Sequence, residues 1–238
     1  MRKFLILIAV LLLAIIIAIV SIAMCGGFGG DKASEGLDYT LSEDGSSYNV
    51  SGTGTCDDSN IVIPETHNGL PVKAIGRNAF SGCYGLIQTE NGLNYVGEWV
   101  IGFNGYMSQL TFRSNTKGIA EFTFADCEEL ERVTIPDSVQ IIGESAFEYC
   151  ENLTSVTIGK GVTSIGGHAF YQCSSLVSVS ISGEVTSIGN NAFSRCGSLT
   201  TIYFDGTKEE WEKIEKAEYW YGDKGNFTVR CTDGDITR

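Results

Sequence analysis

The chain has 238 residues, a formal net charge of −13 and eight cysteines. Arg2 and Lys3 are the only charges before residue 26, so the rest carries 14 basic and 29 acidic side chains. Such a surface repels nucleic-acid phosphates and anionic headgroups, and this cysteine content is well short of a disulfide-dense miniprotein.

The first 25 residues, MRKFLILIAVLLLAIIIAIVSIAMC, run apolar from Phe4 to Val20 behind two cations. Residues 4–24 as a helix measure about 31 Å, enough to cross a hydrocarbon core. A cleavable signal has a shorter apolar region. The reading is an uncleaved signal anchor over 1–25, with Arg2 and Lys3 cytoplasmic and the remainder extracytoplasmic. The alternative is a lipoprotein anchored at Cys25. Met24 stands against it, because that position wants a small side chain. Residues 26–36 (GGFGGDKASEG) read as a flexible tether.

An entry segment covers 37–74. Tyr48-Asn-Val50 and Ile61-Val-Ile63 alternate around glycine turns, which predicts a hairpin between them. From residue 75 to 206 the chain repeats. A shift of 23 superposes Ile119, Ile142, Ile165 and Ile188, then Phe124, Phe147, Phe170 and Phe193. It also superposes Cys127, Cys150, Cys173 and Cys196, and Leu130, Leu153, Leu176 and Leu199. Val133, Val156, Val179 and Ile202 follow, and Ile135, Ile158, Ile181 and Phe204 close the unit.

Two weaker units precede these. Ile75, Gly76, Ala79, Phe80, Cys83 and Leu86 fit the pattern ahead of a two-residue deletion near 87–95. Val96, Ile101, Asn104, Met107, Leu110 and Phe112 fall on the Ile, Phe, Cys, Leu, Val and Ile columns. In each unit L-x-x-V-x-I predicts a short strand with Val and Ile inward, and A-F-x-x-C-x-x-L a tight turn burying its apolar members. One unit buries too little to offset the ordering of 23 residues, so the units must stack as a solenoid.

The unit I-G-x-x-A-F-x-x-C-x-x-L-x-x-V-x-I-P, with Pro136 at its end, resembles the BspA-like (Treponema pallidum type) leucine-rich repeat, over about residues 37–238. The resemblance implies a β-rich leucine-rich-repeat solenoid of about six 21–23-residue coils on a bacterial surface or secreted protein. It further implies adhesion or protein binding and no catalytic residues. Residues 37–76 resemble the family's entry segment and 206–236 its exit segment.

The recurrent cysteine has a packing role on this reading: a small side chain filling space beside a turn. There is no C-x-x-C pair, and His67 and His168 lie at non-repeated positions, so no metal ligand set, catalytic pair or cofactor is indicated. Neighbouring members of the column Cys83, Cys127, Cys150, Cys173 and Cys196 would have parallel Cβ vectors, poor for a disulfide. Cys56 and Cys231 lie at opposite ends of the stack. A buried column without partners predicts a mild Cys150→Ala and a Cys150→Ser that costs ~1–3 kcal/mol through an unpaired hydroxyl.

The exit cap, 207–238, combines a helix and a strand. Thr207-Lys-Glu-Glu210 fits a capping box, Trp211 and Ile214 share a helix face, and Phe227-Thr-Val229 reads as a strand. Trp220 and Tyr221 are either core-capping or an exposed ligand patch. Two outward columns cross the repeat strands: Thr111, Thr134, Thr157, Ser180 and Tyr203, beside Gln109, Arg132, Ser155, Ser178 and Thr201. The candidate ligand-binding residues are Thr111, Arg132, Thr134, Ser155, Thr157, Ser180, Tyr203 and Trp220. The carboxylates between 128 and 151 read as a solvated face. Asp57-Asp58 and Asp233-x-Asp235 lack a full calcium-loop pattern. The function expected is a membrane-tethered, non-catalytic module for an extracellular protein or glycan. A structural spacer without a specific ligand is the alternative.

Overall fold

A computed structural model describes residues 33–42, 45–58, 60–222 and 227–237. The expected anchor (4–24), Cys25 and most of the tether lie outside the described residues. Among those described, no helix is long and apolar enough to cross a membrane.

The entry segment is a four-stranded sheet of β1 (Asp38–Leu41), β2 (Tyr48–Gly52), β3 (Thr66–His67) and β4 (Leu70–Ile75), in the order β1-β2-β4-β3. The hairpin expected between 48–50 and 61–63 does not form. Tyr48–Val50 pairs antiparallel with β1 and parallel with β4. Residues 61–63 form no strand; instead Ser34 N–H donates to Val62 O at 2.9 Å and Val62 N–H donates to Ser34 Oγ at 3.0 Å. Pro64 follows and has no N–H to continue a ladder. The hairpin forms further on, where Asn68 and Gly69 take φ of 49° and 79° and join β3 to β4.

The second repeat is also not where a period of 23 puts it. Residues 88–103 form an antiparallel meander of β5 (Gln88–Glu90), β6 (Leu93–Val96) and β7 (Trp99–Phe103). Its first turn is Asn91-Gly92, again with positive φ at both residues. β7 then pairs parallel with β8 (Gly118–Ile119), setting Val100 rather than Val96 opposite Ile119. Phe103 stacks on Phe124 at 5.6 Å and Phe112 meets it edge-on at 6.2 Å. Asn104 is exposed and hydrogen-bonds Asn94, so it is no member of the cysteine column.

From residue 118 the coils are regular. Each gives a two-residue strand to one sheet: β8, β10 (Ile141–Ile142), β12 (Ser164–Ile165) and β14 (Ser187–Ile188), followed by β16 (Glu215–Lys216). Each gives a longer strand to a second sheet: β9 (Arg132–Ile135), β11 (Ser155–Ile158), β13 (Ser178–Ser182) and β15 (Thr201–Asp205). β17 (Thr228–Cys231) extends this sheet in parallel, and β18 (Gly234–Thr237) closes it antiparallel.

The A-F-x-x-C turns form a third set of bonds between coils. The N–H groups of Ser145, Phe147 and Tyr149 donate to Gly167 O, Ala169 O and Tyr171 O at 2.8–2.9 Å, and the next coil repeats the pattern. The turn achieves this with two left-handed residues per coil. Phe122, Ser145, His168 and Asn191 have φ of 53–56°, and Asp126, Tyr149, Gln172 and Arg195 have φ of 57–60°. The glycine of I-G is required by close approach: a Cβ on Gly166 would lie 2.6 Å from Gly143 C and 2.7 Å from Glu144 N. Ala120 takes this place in the first regular coil, where the meander replaces a preceding turn.

Inside, Phe124, Phe147, Phe170 and Phe193 stack with centroids 5.1, 5.2 and 5.3 Å apart. Beyond them Trp220 meets Phe193 edge-on at 6.2 Å, and Trp211 lies 5.9 Å from Trp220. Trp211 comes from α1 (Lys208–Lys213), whose capping box pairs the Thr207 side chain with Glu210 N–H and the Glu210 carboxylate with Thr207 N–H. The two contacts with Thr207, its N–H first and its hydroxyl second, hold the Glu210 carboxyl below its usual range.

Candidate ligand surface on the strand ladder

Parallel pairing at a constant register stacks equivalent residues on one face. Arg132, Ser155, Ser178, Thr201 and Thr228 are successive partners across β9, β11, β13, β15 and β17. Thr134, Thr157, Ser180, Tyr203 and Arg230 form the adjacent row. Val133, Val156, Val179 and Ile202 alternate inward and are buried. Arg132, Thr134, Thr157, Tyr203 and Arg230 are exposed, and Ser155 and Ser180 half-buried. Six of the eight candidate residues therefore meet on one surface.

The other two do not. Thr111 is exposed but precedes β8 and belongs to no strand, because the meander displaces the coil that would have carried it. Trp220 is 3% exposed and packs among Phe193, Trp211, Tyr221 and Phe227, which removes it from any ligand-facing patch. Thr228 and Arg230 are members that the repeat pattern did not reveal. Their signal was the strand-like alternation at Phe227-Thr-Val229, read without its register. Arg230 adds a guanidinium 5.8 Å from the Tyr203 ring centroid, giving one end of the row a cation and an aromatic plane.

The cysteines do more than fill space. Cys150, Cys173 and Cys196 each donate S–H to the phenylalanine carbonyl one coil earlier: Phe124 O at 3.1 Å, Phe147 O at 3.2 Å and Phe170 O at 3.1 Å. Cys127 has only a 4.0 Å approach to Met107 O, since no regular turn precedes it. Cys83, at the same place in the first unit, is half-buried and lies outside this series. The seven described cysteines are unbridged. Burial pushes the Cys196 thiol up to about 12. The neighbouring Cys150 side chain, followed by burial, raises Cys173 as well. These are proton-bearing, poorly nucleophilic thiols. His168 is no base for Cys173: its Nε2 lies 3.3 Å from Asn191 Nδ2 and its ring packs on Tyr171. No group of three or more potential metal ligands occurs among the described residues.

Residues 103–216 match the family model of the BspA type leucine rich repeat region, in six copies. No curated protein matches the chain. Among solved structures, the chain is similar to a leucine rich repeat protein of T. pallidum, with 23% identity and a TM-score of 0.41 over 73% of this chain and 71% of that one. A leucine rich cell surface protein of Faecalibacterium prausnitzii gives 24% identity and 0.45, over 69% and 57% of the two chains. The pneumococcal vaccine antigen PcpA gives 14% and 0.49, over 68% and 49%. The family match, the 23-residue register and the inward Val/Ile alternation agree, and the 103–216 segment belongs to the BspA-type leucine-rich repeats.

Proposed function

We propose that this chain is a non-catalytic binding module that takes an extracellular protein ligand on its strand ladder, tethered to a membrane through residues 4–24. The observation that carries the reading is the unbroken parallel register from β9 to β17, which sets Thr134, Thr157, Ser180, Tyr203 and Arg230 in one row. A polar row on a rigid sheet offers hydrogen bonds at fixed spacing with little side-chain entropy left to lose, and the Tyr203–Arg230 end supplies the residue types that dominate interface energetics. The apolar run before Cys25 and the two preceding cations support the tether and the extracytoplasmic placement.

The test compares proteins cross-linked to the full-length chain and to T134E/T157E/Y203A. These positions are exposed, and because Thr134 and Thr157 are cross-strand partners, an unchanged urea midpoint for the variant accompanies the comparison. Loss of one or more specific partners from the variant supports the reading. An identical captured set removes the strand ladder as the site.

A further inference from the structure

The left-handed turns display a second group of side chains that neither the strand ladder nor the core uses. Tyr149 and Tyr171 meet edge-on at 5.8 Å, and His168 packs on Tyr171 at 5.2 Å. Arg195 places its guanidinium 5.4 Å from the Tyr171 centroid and donates to Gln172 Oε1 at 3.5 Å. Gln172 in turn donates to Glu151 Oε1 at 3.5 Å. The two tyrosines, His168 and Gln172 are half-exposed, and Arg195 and Glu151 exposed.

Four coils of identical backbone show that the fold does not need these residues. Tyr149, Gln172 and Arg195 share one left-handed position with Asp126, and His168 shares the other with Phe122, Ser145 and Asn191. Left-handed φ costs a non-glycine residue about 1 kcal/mol or more, least for Asn and Asp. The chain uses an aspartate at 126, yet places a tyrosine, a histidine, a glutamine and an arginine at such positions in adjoining coils. Strain borne by large polar and aromatic side chains at a surface points to a use for them.

We propose that this turn face binds a neutral oligosaccharide. The half-exposed Tyr149 ring, set at 85° to Tyr171, can stack on the apolar face of one pyranose, while the Tyr171 ring lies against the Arg195 guanidinium beside it. The amide, guanidinium and carboxylate beside them are planar and already oriented by mutual hydrogen bonds, which suits paired hydroxyls. Glu148 adjoins Tyr149 in the chain and Glu151 accepts from Gln172, with Arg195 the one cation of the group in a chain of net charge −13, so acidic sugars are repelled. Gly167, Ser174 and Ser175 adjoin these residues in the chain and add no apolar side chain of the kind that anchors a peptide. This surface is separate from the strand ladder, so either site can fail without the other.

The test titrates the full-length chain calorimetrically with neutral hexasaccharides (β-1,4-glucose, β-1,3-glucose, α-1,4-glucose and β-1,4-N-acetylglucosamine), with hexagalacturonate and with hexalysine. Saturable binding of a neutral hexamer and none of hexagalacturonate is expected. Y149N/Y171S installs residues the chain itself places elsewhere in the same turn, Asn at a left-handed position (Asn191) and Ser at the site equivalent to 171 (Ser194). It should weaken binding at least about tenfold with an unchanged unfolding midpoint, whereas T134E/T157E should bind like the parent. If the double variant loses stability, R195Q at an exposed position carries the same comparison. No saturable binding of any neutral hexamer, binding of hexalysine alone, or full affinity in the variants overturns the proposal.

Discussion

Gly166→Ala tests whether backbone contact between turns sets the spacing of the coils. The added methyl would sit 2.6 Å from Gly143 C, 2.7 Å from Glu144 N and 2.8 Å from Gly143 O, where 3.4 Å begins ordinary contact. All three are backbone atoms, so no side chain can rotate away. Relief requires the two coils to part, which stretches Gly166 N–H to Ile142 O (2.8 Å), Ser145 N–H to Gly167 O (2.9 Å) and Phe147 N–H to Ala169 O (2.8 Å). At about 1 kcal/mol for each weakened bond, the expected loss is ~3 kcal/mol, at the upper end of overpacking costs. Gly197→Ala is the control. A Cβ there meets nothing within 4 Å and its φ is not left-handed, so alanine should stabilise by about 0.4–1 kcal/mol through the unfolded chain. Urea unfolding followed by tryptophan fluorescence reads both, with buried Trp211 and Trp220 reporting the C-terminal coils. Equal stability of Gly166→Ala and the parent, or equal losses at 166 and 197, would refute the close-approach reasoning.

Two further predictions concern the sulfur column. The S–H of Cys150 reaches Phe124 O at 3.1 Å, which corrects the expectation that serine there leaves an unpaired hydroxyl while alanine is mild. Alanine now strands a buried carbonyl, so both replacements should cost about 1 kcal/mol, with serine no worse than alanine in chemical denaturation; a serine loss exceeding the alanine loss by about 1 kcal/mol or more would restore the earlier view. Cys196 is buried with its folded-state value raised to about 12. Its unfolded thiol ionises near 8.5 and its folded one does not, so stability is fully present below about pH 8.5 and falls as pH rises from there towards 12. The slope is about 1.4 kcal/mol per pH unit for one fully shielded thiol. Cys196→Ala should make the alkaline limb of a stability–pH curve shallower by that one thiol's share, with Cys127 and Cys173 still contributing, and an unchanged limb would show that this thiol ionises alike in both states.

Much of the fold was legible because the repeats are local. The Phe, Cys, Leu and Val/Ile columns from 119 to 204 occupy the places their spacing predicts, since each coil solves the same packing problem with the same residues. The first two units were less readable. There a count of 23 placed Val96, Ile101 and Asn104 in columns that the structure gives to Val100 and Phe103, with Asn104 outside. The Asn91-Gly92 turn and the Leu93/Tyr95 alternation were the signals of a meander, overshadowed by the stronger period. Of the strand face, Arg132, Thr134, Ser155, Thr157, Ser180 and Tyr203 were visible as a column, whereas Arg230 needed the register of β17.

Periodicity alone determined that this chain stacks coils with Val and Ile inward, because side chains two apart on a strand share a face whatever lies around them. Composition alone located the apolar run before Cys25 and the excess of acidic over basic side chains after it. Only the tertiary structure decided what the cysteine bonds, which side chains the left-handed turns present, and that Trp220 is core. Each of those depends on atoms of a neighbouring coil, and the distance and direction of a contact across about 23 residues are set by backbone stacking, which spacing along one chain does not encode.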